Sequence, residues 1–276
     1  MKSFLTRLIS GIVLVAILIG VTIPGGWVID IAFLAVSLIG YYELMRVLGL
    51  EKTPFFAVGI VVSVCFYIRL IHGGGAFSLE YDPVYALAFL GISCAIMVFK
   101  YPRYEMGDIA RSFFAFVYVP YLLSFIVRSR LLESGIYLVW LIFLTAWGCD
   151  TLAYCSGVLL GKHKLCPLLS PNKSVEGAVG GVIGAGLLGA IYGYVLYRWF
   201  DMSEIYIAGF AAICAVGAVI SQIGDLTASA IKREYEIKDY GHLIPGHGGI
   251  MDRFDSIIVT SPIIFVLYEY LIKSFM

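Results

Sequence analysis

A polar run near the C-terminus carries most of the chemistry that this sequence could perform. Residues 229–255 contain four Lys or Arg, five Asp or Glu and two His, in a chain that is 61% hydrophobic. Lysines and arginines bind phosphate oxygens, paired aspartates hold a hard divalent cation, and glycines let the backbone approach an anion closely. The run therefore predicts a site that handles phosphates at a membrane surface.

Two aspartates are the predicted metal ligands. Asp225 lies near the end of a predicted helix and Asp252 lies in the loop that returns from it. Mg²⁺ prefers carboxylate oxygens, water and substrate phosphates, so we expect this pair to hold Mg²⁺. An ion-pair network between Asp252 and Arg253 or a lysine is the alternative interpretation of Asp252.

The cations of the same run are predicted to clamp phosphates, the arginines through two parallel hydrogen bonds and the lysines as point charges. Each of them could instead contact anionic lipid headgroups. His247 could bind phosphate or relay a proton. The predicted clamps are Lys232, Arg233, Lys238 and Arg253.

A second polar block, residues 150–177, precedes the C-terminal spans. Ser174 stands where a helix is predicted to begin, and free amides at a helix start can bind phosphate. Capping of that helix is the alternative interpretation of Ser174 and Glu176. Lys173 is predicted to face nucleotide phosphates, and Asp150 could bind a second cation or orient Lys173.

One predicted helix has a polar face that cannot point at lipid. Ser221, Asp225, Ser229 and Lys232 recur at helical spacing and so share one side. A carboxylate at membrane depth costs about 2.5–3.5 kcal/mol and normally faces a cavity or a partner. Asp225, and Asp150 by the same reasoning, are therefore candidate site residues.

Both blocks resemble the phosphatidate cytidylyltransferase (CDP-diacylglycerol synthase) family over roughly the C-terminal half of the chain. The first block fits the family signature without departure: Ser229-x-hydrophobic-Lys232-Arg233, then Lys238-Asp239, then His247-Gly248-Gly249-x-x-Asp252-Arg253-x-Asp255. The second reads Asp150-x-x-Ala153-Tyr154-x-x-Gly157-x-x-x-Gly161-Lys162, then Ser170-Pro171-x-Lys173-Ser174-x-Glu176-Gly177.

The resemblance implies an enzyme that transfers CMP from CTP to phosphatidic acid, giving CDP-diacylglycerol and pyrophosphate, with Mg²⁺ and without nucleic acid. A CTP-dependent lipid kinase is the main alternative, and a membrane transporter a further one, although no inverted repeat is evident. The implied catalytic residues are Asp225, Lys232, Arg233, Lys238, Asp239, His247, Asp252, Arg253 and Asp255. The implied substrate-binding residues are Asp150, Lys162, Ser170, Lys173, Ser174, Glu176, Ser221, Ser229, Gly248 and Gly249.

The composition predicts an all-α, polytopic membrane protein. Only 14% of residues are charged, and the mean hydropathy of +0.93 leaves too little polar surface for a soluble globule. A bilayer-spanning helix needs about 20 apolar residues, and about nine runs qualify. The predicted spans are 5–23, 27–45, 54–71, 83–99, 109–128, 135–160, 177–199, 205–231 and 254–272.

The distribution of lysine and arginine sets the expected orientation. Most of them lie at the ends of predicted spans that are on the same side of the membrane as the N-terminus. This bias predicts a cytoplasmic N-terminus and cytoplasmic loops 161–176 and 233–253. We expect residues 1–130 to be a scaffold and 131–276 the catalytic region, in a bacterial cytoplasmic (inner) membrane. The glycines of the seventh span predict close helix packing and are also compatible with a homodimer.

Overall fold

The computed structural model describes residues 2–72, 81–246 and 248–272, with side chains from Ile9 onward. Most of this length is helical, because a backbone in lipid must satisfy its own hydrogen bonds. The helices are α1 (Lys2–Thr22), α2 (Gly26–Val47), α3 (Pro54–His72), α4 (Asp82–Phe99), α5 (Met106–Phe116), α6 (Leu122–Arg130), α7 (Gly135–Leu160), α8 (Val175–Trp199), α9 (Ile205–Glu234) and α10 (Met251–Leu271). The strands are β1 (Lys164–Cys166) and β2 (Ser170–Ser174).

Within these ranges, eight helical segments are long and apolar enough to cross a membrane. They are α2, α3, α4, the continuous segment Met106–Arg130, α7, α8, α9 and α10. The first predicted span coincides with α1, whose apolar part among the described side chains is the shorter Ile9–Thr22. The prediction of an all-α, polytopic membrane protein is confirmed.

The chain divides into two compact units. The first unit comprises Met1–Ile136 and Lys238–Arg253, and the second comprises Tyr137–Ile237 and Phe254–Met276. The polar loop that precedes α10 thus packs with the N-terminal helices. The assignment of a scaffold role to residues 1–130 and of catalysis to 131–276 stays a prediction.

In the first unit, a buried ion pair joins α4 to α6. The Arg128 side chain is fully buried, and its Nη2 lies 2.7 Å from Asp82 Oδ1. The guanidinium also lies 5.6 Å from the Phe66 ring centre and 5.4 Å from that of Phe125. A charge inside an apolar helix bundle needs such a partner, so this pair fixes the two helices against each other.

A π-helical turn, Val117–Tyr121, joins α5 to α6. Pro120 lies inside it and has no N–H to donate along the helix, which favours a local widening of the backbone. The Pro120 carbonyl accepts a hydrogen bond from the Tyr67 hydroxyl at 3.3 Å, and that hydroxyl lies 2.6 Å from Ser37 Oγ. Side chains of α2 and α3 thereby stabilise the turn.

In the second unit, α8 packs closely against both α7 and α9 through its glycines. An added Cβ at Gly181 would lie 3.1 Å from the Cys149 carbonyl of α7, and one at Gly193 would overlap the Tyr206 carbonyl of α9. Small residues permit this approach of two backbones. The interpretation of the seventh predicted span as a packing helix is confirmed, and the homodimer stays a prediction.

Candidate active site

A short hairpin connects α7 to α8 in the second unit. Strands β1 and β2 pair antiparallel, with Lys164 opposite Ser174 and Cys166 opposite Ser170. The strand β2 runs directly into α8, and Val175 N–H donates to the His163 carbonyl at 2.9 Å. This connection places Lys173 and Ser174 at the start of α8.

The glycines of the second sequence block surround Ser174. The Ser174 hydroxyl accepts a hydrogen bond from Gly177 N–H at 3.1 Å, which makes Ser174 the N-cap of α8. An added Cβ would lie 3.1 Å from Ser174 Oγ at Gly157 and 2.7 Å from it at Gly161. The spacing of these glycines therefore follows from the tight junction of α7 with α8, and the capping interpretation of Ser174 is confirmed.

Glu176 fixes the segment that follows α7. Its Oε2 accepts hydrogen bonds from Lys162 N–H at 3.0 Å and His163 N–H at 3.2 Å. Its Oε1 lies 2.6 Å from Nδ1 of the His163 ring. The carboxylate thus orders residues 162–163, and Lys164 Nζ donates to the Pro171 carbonyl at 2.6 Å across the hairpin. Substrate contacts by Lys162, Ser170 and Glu176 stay predictions.

The ammonium group of Lys173 forms an ion pair with the carboxylate of Asp225 in α9. The Lys173 side chain is 29% exposed and that of Asp225 is 25% exposed, so the pair is only partly screened by solvent. Sequence reasoning had considered Asp150 as the residue that orients Lys173. In the structure Lys173 contacts Asp225, and an orienting role of Asp150 stays a prediction.

These charged side chains line a pocket of about 470 Å³ in the second unit. Its size falls within the range of small-molecule sites, which is roughly 300–1,000 Å³. Gln222, which sequence reasoning missed, lies three residues before Asp225 on α9 and donates to the Ala178 carbonyl at 3.0 Å. The lining residues are Asp150, Ala153, Tyr154, Gly157, Val158, Leu165, Asn172, Lys173, Ser174, Gly177, Ala178, Gln222 and Asp225.

The predicted polar face of α9 does not line this pocket as one set. Asp225 does so, whereas Ser221 is fully buried and Ser229 and Lys232 are half-buried outside the lining. The preceding Gly224 lies against α10, where an added Cβ would be 3.1 Å from the Asp255 carbonyl. Because α9 packs against several neighbours, side chains on one side of it have different surroundings.

Asp255 extends the charged set at the start of α10. It interacts electrostatically with Asp225, Lys232 and Asp150, all within the second unit. Its Oδ1 accepts a hydrogen bond from Ser256 N–H at 2.8 Å. Asp225, Asp150 and Lys232 are therefore close enough to interact with Asp255.

The loop Lys238–Arg253 of the first unit forms a separate polar pocket of about 580 Å³. Ile244 pairs with Gly248, and its N–H donates to the Gly248 carbonyl at 2.8 Å. Gly246 and Gly248 adopt φ of 77° and 84°, which the tight turn requires. The lining residues are Lys238, Asp239, His242, Ile244, Pro245, Gly246, Gly248 and Arg253.

This loop pocket has a basic character that suits an anion. Lys238 and Arg253 were predicted clamps, and His242 joins them without having been predicted. Its signal in the sequence was its place between the two cations of one signature run. His247 lies outside the described residues, so its predicted role stays a prediction.

Asp252 holds the loop from within. The side chain is 6% exposed, and its Oδ2 accepts hydrogen bonds from Tyr240 N–H at 2.8 Å and Gly249 N–H at 3.0 Å. An added Cβ at Gly248 would lie 2.7 Å from the same oxygen. The amide of Gly249 is therefore engaged by Asp252, and the substrate contact predicted for Gly248 and Gly249 stays a prediction.

The predicted metal ligands belong to different units, Asp252 to the first and Asp225 to the second. Across the described ranges, no three His, Cys, Asp or Glu side chains are grouped so that they could hold a metal ion. Mg²⁺ is commonly held by one or two carboxylates together with water and substrate phosphates, so such a group is not required. The Mg²⁺ site formed by Asp225 and Asp252 stays a prediction.

The described helices thus form a polytopic membrane protein in which carboxylates, lysines and an arginine line two pockets, an arrangement suited to binding phosphates. Residues 5–271 match the family model described as the cytidylyltransferase family. The chain belongs to the cytidylyltransferase family, and it is a nucleotidyltransferase.

Relatives in two bacterial groups agree with this family. The chain is 30% identical over 265 residues to a phosphatidate cytidylyltransferase of Staphylococcus saprophyticus, covering 95% of this chain and 97% of the relative. The identity and coverage are the same for a Staphylococcus aureus protein of that name. A Rickettsia conorii protein of that name is 32% identical over 234 residues, covering 82% of this chain and 91% of the relative.

Proposed function

We propose that this protein is a phosphatidate cytidylyltransferase, which transfers CMP from CTP to phosphatidic acid and releases pyrophosphate. The observation that carries the proposal is similarity along nearly the whole chain, 95% of it, to relatives of that name. The pocket that contains Lys173 and Asp225 supplies groups suited to this chemistry.

The proposed reaction joins two anions. A phosphate oxygen of phosphatidic acid attacks the α-phosphorus of CTP, and the bond from that phosphorus to the bridging oxygen of the β-phosphate breaks. A phosphate monoester is largely ionised near neutral pH, so a general base is not required. The main task of the protein is therefore to neutralise and orient phosphates.

The ion pair of Lys173 with Asp225 suits this task. An entering phosphate can take over the Lys173 ammonium, which then becomes a phosphate ligand and releases the Asp225 carboxylate. Asp225 and Asp150 are the kind of oxygen donor that Mg²⁺ prefers, with Asp252 as the further proposed ligand. Mg²⁺, when bound, would supply positive charge beside the phosphates.

The phosphate-binding groups of the two pockets lie in different surroundings. Lys238, His242 and Arg253 surround the loop pocket, where a cluster of donors suits a polyanion such as a triphosphate. The pocket of the second unit also contains Val158 and Leu165, so polar and apolar surfaces meet there. Separate titrations of CTP and phosphatidic acid decide which substrate each group serves.

The lipid substrate restricts the route of entry. Exposing acyl chains to water costs about 0.8 kcal/mol per CH₂, so the headgroup must reach the site without leaving the interface. We propose lateral entry of phosphatidic acid between helices and entry of CTP from the cytoplasm, in a bacterial inner membrane.

The test uses two labels of CTP with the purified protein and phosphatidic acid in mixed micelles. A cytidylyltransferase moves an α-³²P label into the organic phase and leaves a γ-³²P label in aqueous pyrophosphate. A CTP-dependent lipid kinase, supplied in the same micelles with a polyprenol as hydroxyl acceptor, moves the γ label into lipid and leaves the α label in aqueous CDP. A transporter converts neither, and either of those two outcomes would refute the proposal.

A further inference from the structure

A glutamate of α2 in the first unit reaches the loop that precedes α10. Glu43 is 4% exposed, and its Oε1 accepts a hydrogen bond from Ile250 N–H at 3.1 Å. Its Oε2 accepts one from Met251 N–H at 2.9 Å. Both carboxylate oxygens are thus used to bind the backbone where α10 begins.

Two glycines of the signature loop provide the space that this carboxylate occupies. An added Cβ at Gly249 would lie 2.6 Å from Glu43 Cδ, and one at Gly241 would lie 2.7 Å from the same atom. Neither glycine has a positive φ, so backbone conformation alone does not require glycine there. The glycines therefore fit the Glu43 side chain.

A second residue of α2 holds the other side of the loop. Arg46, one helical turn after Glu43, donates from Nη2 to the Tyr240 carbonyl at 2.6 Å. The N–H of Tyr240 donates to Asp252. Tyr240 is thus held from both sides, while Glu43 holds residues 250 and 251.

We propose that Glu43 is a positioning residue for the reaction, acting through the loop that carries Lys238 and Arg253. A carboxylate at the start of a helix is stabilised by the free amides and the positive helix end. Here it fixes the backbone next to Asp252 and Arg253. This inference depends on the proposed function for its activity readout, and it assigns to an N-terminal helix a part in ordering the site.

Glu43→Gln is the discriminating variant. The amide keeps the shape of the side chain but offers one acceptor oxygen, so an NH₂ group faces one of the two backbone N–H groups. We expect the opening equilibrium of residues 248–253 to rise roughly 10- to 100-fold, measured by hydrogen-exchange mass spectrometry in detergent. Exchange in α3 should not change. The matched control is Glu133→Gln, since Glu133 is exposed.

Kinetics separate positioning from a merely structural role. The kcat per folded enzyme should fall roughly tenfold or more in Glu43→Gln, because loss of orientation slows a transfer step. A variant that melts earlier but keeps wild-type kcat, KM and loop exchange would overturn the proposal. If the wild-type protein makes no cytidine lipid, the proposed function is refuted. The exchange comparison would still test whether Glu43 holds the backbone of residues 250 and 251.

A double-mutant cycle provides an independent test. Gly249→Ala should accelerate loop exchange by itself, because the methyl group overlaps the Glu43 carboxylate. In a Glu43→Ala background that overlap is absent, so the second substitution should add little. Additive effects would show that Gly249 and Glu43 act separately, and the proposal would fail.

Discussion

The ammonium group of Lys173 pairs with the carboxylate of Asp225, 52 residues further along the chain. One comes from a hairpin strand that leads into α8 and the other from the C-terminal third of a long apolar helix. A carboxylate on such a helix needs a cation or a cavity, and here it has both. This pair connects the polar block of residues 150–177 to α9 within the second unit.

Asp225→Asn should abolish turnover, with a loss of roughly 100-fold or more, while the protein stays folded and extractable. The substitution removes the negative charge without removing volume, so packing around α9 is kept. Labelled-lipid formation at saturating Mg²⁺ is the measurement, with size-exclusion chromatography as the check on folding. Asp201→Asn is the matched control because Asp201 is exposed, and Asn tolerates its positive φ of 53°. Near-normal activity of Asp225→Asn would remove Asp225 from the site.

Asp252→Asn and Asp252→Ala should differ. Asn can still present one oxygen to Tyr240 N–H and Gly249 N–H, whereas Ala leaves both buried donors unpaired, at a cost of about 1–3 kcal/mol each. We expect Asp252→Asn to lose turnover with little change in melting temperature. Asp252→Ala should lose turnover and also melt at a lower temperature. Full activity of the Asn variant would limit Asp252 to organising the loop.

Gly177→Ala should destabilise the second unit by about 1–3 kcal/mol and lower activity. An added Cβ would lie 2.8 Å from the Ala153 carbonyl and 3.1 Å from Gly157 Cα, and backbone atoms cannot move aside cheaply. Gly91→Ala in α4 is the control, since nothing lies within 4 Å of a Cβ there. Thermal unfolding in detergent compares the two. Equal melting temperatures would contradict the tight junction of α7 with α8.

Residues 162–176 and 233–253 should face the cytoplasm. Tyr240 is fully buried, whereas Leu243 is 58% exposed, so Leu243→Cys is the suitable probe in a background without native cysteines. Tyr81 is 49% exposed and lies on the opposite face of the membrane in the predicted topology, so Tyr81→Cys is the second probe. An impermeant thiol reagent added outside sealed right-side-out vesicles should label only position 81. Labelling of position 243 from outside would reverse the orientation.

The sequence by itself predicted the all-α membrane architecture, because a run of about 20 apolar residues is a local property that specifies a spanning helix. It also predicted the chemical character of the site. Residue types that bind phosphates and cations can be identified from the sequence alone. The signature of residues 229–255 indicated the family that the match over residues 5–271 confirms. The glycines of α8 predicted close helix packing, because small residues at helical spacing are also a local pattern.

Tertiary structure alone decided which groups meet. Glu43 contacts residues 207 and 208 positions away, and no local pattern connects α2 with the start of α10. Likewise, the helical spacing of Ser221 and Asp225 predicted one shared face, but packing buried Ser221 and left Asp225 in a pocket with Lys173. Periodicity fixes the direction of a side chain on its own helix, whereas its partner depends on how distant helices pack.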